Sequence, residues 1–73
     1  MRYAIVIERA GSNYSAYVPD PPGCAGSRAS QREVEILLRE AIELHIAGMR
    51  EDNQPVPEPS SHVEYLDVEV AAQ

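Results

Sequence analysis

Phenylalanine, tryptophan and lysine are absent from this 73-residue chain, cysteine occurs once, and glycine only four times. Each shortage excludes something. Four tyrosines are the whole aromatic content, too little for a second aromatic layer in the core. A single cysteine cannot form an internal disulfide. The four glycines are scattered, so no glycine-rich phosphate loop is present. All six cations are arginine, set against 12 acidic residues for a net charge of −6. The clustered basic surface that autonomous binding to a phosphate backbone needs is therefore missing. No apolar run approaches the about 20 residues of a membrane span, and the opening "MRYAIVIERA" has too short an apolar stretch for a signal peptide. These exclusions lead to the expectation of a cytoplasmic protein without direct membrane or nucleic-acid contact.

What remains is short and acidic. Such a chain hides only about 60% of its unfolded surface on folding, so its core is thin and association is a common supplement. The negative charge either attracts a basic partner at long range or serves solubility alone.

The run "RYAIVIE", residues 2–8, is apolar and β-branched, and it reads as a strand covered on part of both faces. "NYSAYV", residues 13–18, alternates Tyr14, Ala16 and Val18 against Ser15 and Tyr17. Gly11 between them can take positive φ, which predicts a hairpin. Then comes "YVPDPPGCAGS", with three prolines, two glycines and the lone cysteine. Pro19, Pro21 and Pro22 restrict the backbone and Gly23 relieves it, so this segment is a rigid corner leading into a short third strand, "CAGS". Cys24 has neither histidine at a spacing that would activate it and reads as a small buried residue.

Ser30-Gln31-Arg32-Glu33 is a capping box and starts a helix. At 100° per residue Val34, Leu37, Leu38, Ala41, Leu44, His45 and Gly48 form one stripe, expected to pack on the sheet. Charged residues fall opposite, with Glu35 and Arg39 in the favourable i,i+4 order. Ile36 and Ile46 lie among those charges, either as scattered surface residues or as part of a contact. Asn53 suits a left-handed cap and Pro55 forbids continuation, so the helix ends between Arg50 and Asn53. "QPVPEPSS" is a stiff extended connector. "HVEYLDVEV" sets Leu66, Val68 and Val70 against Asp67 and Glu69, which predicts a fourth strand with a bulge near Tyr65 and Leu66. The expected fold is α+β: a β-β-β-α-β two-layer unit, one domain over residues 1–73, with a single helix packed on an antiparallel sheet. One helix cannot cover both sheet faces, so the open face, if apolar, would draw a second subunit or partner.

Chemistry is sparse in the pattern. Cys24, His45 and His62 have no metal-ligand spacing. Glu8, Asp20, Glu40 and Glu43 are the carboxylates a two-metal hydrolase would need, but 12 acidic residues in a short chain supply such sets by chance. No nucleophile elbow and no Ser-His-Asp order occurs. The expectation is a non-enzyme without catalytic, cofactor or metal site.

Tyr17-Val18-Pro19-Asp20 through Pro22-Gly23-Cys24, the helical Glu40-Ala41 through Leu44-His45, and Pro55-Val56-Pro57-Glu58-Pro59-Ser60 resemble, in order and spacing, the HicB-like family of type II toxin–antitoxin systems. The similarity covers residues 2 to about 70. It implies a partial ribonuclease H-like fold without nuclease activity, dimeric or tetrameric, that binds and neutralises a small basic HicA-type toxin cleaving mRNA. Inhibition would be steric and electrostatic. Many members continue into a C-terminal DNA-binding domain, so the chain is expected to be a short form without one. Candidate partner contacts are Asp20 at the tip of the corner, Glu8, Ile36, Glu43 and Ile46. The alternative is an orphan self-associating structural or regulatory module that has no toxin.

Overall fold

The computed structural model describes residues 1–20 and 23–71. Its order is β1 (Val6–Ala10), β2 (Asn13–Tyr17), β3 (Ala25–Arg28) and α1 (Gln31–Glu51). The three strands form one antiparallel sheet in the order β1-β2-β3, so the α+β arrangement of one helix on an antiparallel sheet is as expected. The β1–β2 register runs from Val6 opposite Tyr17 to Ala10 opposite Asn13. This leaves Gly11-Ser12 as a two-residue turn with Gly11 at φ 62°, the sign that a right-twisted hairpin requires.

Past β2, the Val18 amide donates to the Cys24 carbonyl at 2.9 Å, closing the corner one step beyond the Tyr17–Ala25 pair. Pro21 and Pro22, two of the three prolines assigned to this corner, lie outside the described residues. Cys24 itself is 8% exposed and belongs to the core.

The helix begins and ends by local chemistry. Ser30 is the N-cap, with its Oγ accepting from the Glu33 amide at 3.2 Å. At the other end Asn53, at φ 57°, donates its amide to the Arg50 carbonyl at 3.1 Å, while the Gln54 amide donates to the Met49 carbonyl at 2.8 Å. These paired bonds are a Schellman motif with asparagine in the left-handed position.

Ala16, Val18, Cys24, Val34 and Leu38 make the buried core, with Ile5, Ile7, Tyr14, Leu37, Ala41 and Ile42 packed around it. α1 packs against β2 and β3. Gly26 makes the close approach to β3 possible, because a Cβ there would collide with the Leu37 side chain.

Three expectations change. First, β1 starts at Val6 and not at Arg2, because Val6 pairs with Tyr17, the last residue of β2, and residues 1–5 extend past that end of β2. Second, Leu44 (76% exposed) and His45 lie in solvent although the helical stripe includes them. A 21-residue helix is about 31 Å long, whereas five-residue strands span about 17 Å, so the C-terminal half of α1 overruns the sheet. Ile42 and Ile46 are half-buried there instead. Third, no strand is assigned over 54–71: residues 61–71 are exposed, including Tyr65 (91%), Leu66, Val68 and Val70. The alternation is present, but among the described residues it joins no ladder. The chain is correspondingly extended. Its radius of gyration is 15.3 Å, against about 11 Å for a compact domain of this length.

Candidate partner-binding groove

One concavity follows from where α1 sits. Because the helix lies over β2 and β3, the space between its second half and residues 1–5 is open. This groove has a volume of 440 Å³, with a floor of Ile5, Leu38, Ile42 and Ile46 and a rim of Glu35, Arg39, Glu43 and Arg50. Val56, where the connector passes, closes one end. Glu35 and Arg39, which share the helical i,i+4 relation, do not close an ion pair. Among the described residues the one such contact is His62 Nε2 to Glu64 Oε1 at 2.6 Å, fully in solvent reach.

The connector is held at two points. The Tyr3 hydroxyl donates to the Pro57 carbonyl at 2.7 Å. Ser60 donates to Asp20 Oδ2 twice, from its amide at 3.2 Å and from its hydroxyl. Asp20, named from sequence as a partner contact, thus latches the corner to a segment 40 residues away. Sequence carried no signal for that pairing, since both partners are ordinary surface residues.

The five candidate contacts do not form one site. Glu43 and Ile46 line the groove together. Ile36, 49% exposed, borders a shallower depression with Arg28, Glu33, Leu37 and Glu40. Glu8 is exposed on β1 opposite Ser15, and Asp20 occupies the corner. The sheet face away from α1 is mixed: Val6, Tyr17 and Ala25 at one end give way to Glu8, Ser15 and Ser27 at the other. The strongest unsatisfied apolar surfaces are therefore the groove and the exposed segment 63–70. Sequence reasoning missed the groove because it arises from the lateral position of the helix, which no local pattern encodes. Arg9 stacks over Tyr14, 5.8 Å from the ring centroid, as a cross-strand pair.

Among the described residues no group of three or more His, Cys, Asp or Glu side chains is placed to hold a metal ion, and no helix is long and apolar enough to cross a membrane.

The sequence model of a family described as the HicB-like antitoxin of bacterial toxin–antitoxin systems matches residues 3–71. An uncharacterized 14.9 kDa protein from the rep–hol intergenic region of Haemophilus phage HP1 is 36% identical over 66 residues, which are 90% of this chain and 50% of that protein. The chain thus spans half the length of the curated relative it matches. No solved structure matches it.

Proposed function

The chain belongs to the HicB-like antitoxin family, and on that premise we propose that it binds and neutralises a small basic HicA-type toxin that cleaves mRNA. The family match over residues 3–71 is the observation that carries this reading. Residues 1–73 act as one cytoplasmic, non-enzymatic domain that covers the toxin and touches no nucleic acid itself.

Charge and surface pattern support an electrostatic and steric mode. Glu33, Ile36, Glu40 and Leu44, spaced by three, four and four residues, share one face of α1. Ile36 is 49% and Leu44 76% exposed on that face. Apolar anchors inside an acidic surround suit a basic partner, since the anchors supply affinity while the charges supply approach and orientation. Glu8 and Asp20 add to the negative field of a chain carrying −6.

The test is co-expression with the product of the neighbouring gene. Growth rescue with co-purification of a salt-sensitive complex is expected. Growth arrest that persists while both proteins are soluble would overturn the role.

Self-association is a second reading, favoured by one feature of the structure. The chain exposes 6101 Å², whereas a compact protein of 8.1 kDa exposes about 4,500 Å².

A further inference from the structure

Backbone pairing decides which polar groups the sheet leaves open beyond β3. The Val18 amide donates to the Cys24 carbonyl, and in an antiparallel pair hydrogen-bonded residues alternate with unbonded ones. Cys24, Gly26 and Arg28 therefore turn their amides and carbonyls toward β2, whereas Ala25 and Ser27, opposite Tyr17 and Ser15, turn theirs outward. Among the described residues no strand lies on that outer edge. The Ser27 carbonyl is capped instead by the exposed side chain of Arg28, whose Nη1 donates to it at 2.8 Å. An edge blunted by a charged side chain resists indiscriminate pairing and can still be opened.

α1 overhangs this edge. Leu37 sits above Gly26, where a Cβ would collide with it, and Glu33, Ile36 and Glu40 share the neighbouring helix face. With Arg28 and Leu37 they line a depression of 290 Å³. Its floor is apolar, since Ile36 is 49% exposed and Leu37 half-buried. Neither Glu33 nor Glu40 closes an ion pair among the described residues. A strand added beside β3 would run about 4.8 Å beyond it, and every second side chain would rise into this depression.

We propose that a strand of the toxin adds to the outer edge of β3, bonding to the backbone of Ala25 and Ser27. A lysine or arginine of that strand enters the depression, with its aliphatic stem on Ile36 and Leu37 and its cation between Glu33 and Glu40. This inference rests on the toxin-binding reading and names the elements that make the contact.

Charge selects a basic strand over a second copy of this chain. A two-fold pairing of β3 edges would bring Glu33 and Glu40 of one copy toward the same carboxylates of the other, between chains that each carry −6. A long cationic side chain instead satisfies both parts of the depression, covering the floor with its methylenes and meeting the carboxylates with its head. In such an addition the main-chain bonds supply affinity, and the pocket for an alternate side chain supplies selectivity.

Amide hydrogen exchange on the full chain, alone and with a purified candidate HicA-type toxin, tests the proposal. Alone, the Ala25 and Ser27 amides should exchange fast while those of Gly26 and Arg28, bonded to β2, exchange slowly. In the complex the first two should lose their fast exchange. A complex in which they still exchange fast overturns strand addition and leaves the toxin reading standing, whereas absence of any complex overturns both. Slow exchange at Ala25 and Ser27 in the isolated chain would mean that a second copy takes the edge, which also overturns the proposal. Ser27→Pro removes the outward amide without touching the β2 ladder and should weaken the complex about tenfold. Glu33→Gln/Glu40→Gln keeps a capping side chain at the helix start and should flatten the salt dependence of binding. Undiminished affinity of the first variant overturns the backbone contact, and an unchanged salt dependence of the second overturns the seat for the cation. If Ser27→Pro unfolds, amide exchange on the natural chain decides.

Discussion

Replacing Leu38 by alanine probes the core at its tightest point. Leu38 is 1% exposed and, with Val34, is the largest fully buried side chain. It belongs to the buried cluster with Ala16, Val18, Cys24 and Val34, around which Ile5, Ile7, Tyr14, Leu37, Ala41 and Ile42 pack. Leucine-to-alanine changes in cores cost about 2–5 kcal/mol. Leu38 also borders the open groove, and water entering there relieves part of the cavity, which points to the lower half of that range, about 2–3 kcal/mol. A domain this small has a total stability of only about 5 kcal/mol, so the variant should be near half of it. With a urea slope of about 1 kcal/mol/M for a chain of this size, the midpoint should fall by about 2–3 M, followed by circular dichroism at fixed chain concentration, since association shifts apparent stability. A fall below about 0.5 M would mean that the helix is not held to the sheet through Leu38, and the packing described here would be wrong.

Further outcomes follow from single contacts. Ser30→Ala removes the acceptor of the Glu33 amide and should cost about 1 kcal/mol in the same urea measurement, whereas Ser30→Asp should cost little. Gly26→Val forces a side chain into Leu37 and should cost about 1–3 kcal/mol, with part regained in combination with Leu37→Ala. Asp20→Asn weakens the latch to Ser60. The global cost should stay under about 1 kcal/mol because the pair is exposed, yet hydrogen-exchange protection of the Ser60 amide should fall. Ile36→Glu should abolish toxin binding and leave the unfolding midpoint within about 0.5 M, whereas a large stability loss would place Ile36 in the core.

The parts of this fold that were legible in the sequence are those decided within a few residues. Ser30 with Glu33 announced the helix start, and Asn53 with Pro55 its end, because caps are made by neighbours in the chain. Gly11 marked the hairpin for the same reason. What depended on distant surfaces was not legible. Leu44 and His45 obey helical periodicity and are nevertheless exposed, since periodicity cannot tell how far the sheet extends beneath the helix. Residues 2–5 have the composition of a strand, but among the described residues they pair with none. The alternation of Leu66, Val68 and Val70 was readable, but not that these residues would stand exposed beyond the three-stranded sheet. Of the candidate contacts, Glu43 and Ile46 share a groove that arises only because α1 sits toward β3, and Asp20 is engaged by Ser60 through a loop closure that no local motif encodes.

The proposed occlusion of a HicA-type toxin is tested most directly by titrating this protein against a purified candidate toxin of that type and following mRNA cleavage at low and high salt. Cleavage that stops at a fixed molar ratio, with inhibition weakening as salt screens the acidic helix face, is the predicted result. Full cleavage in the presence of excess folded protein at low salt would contradict it.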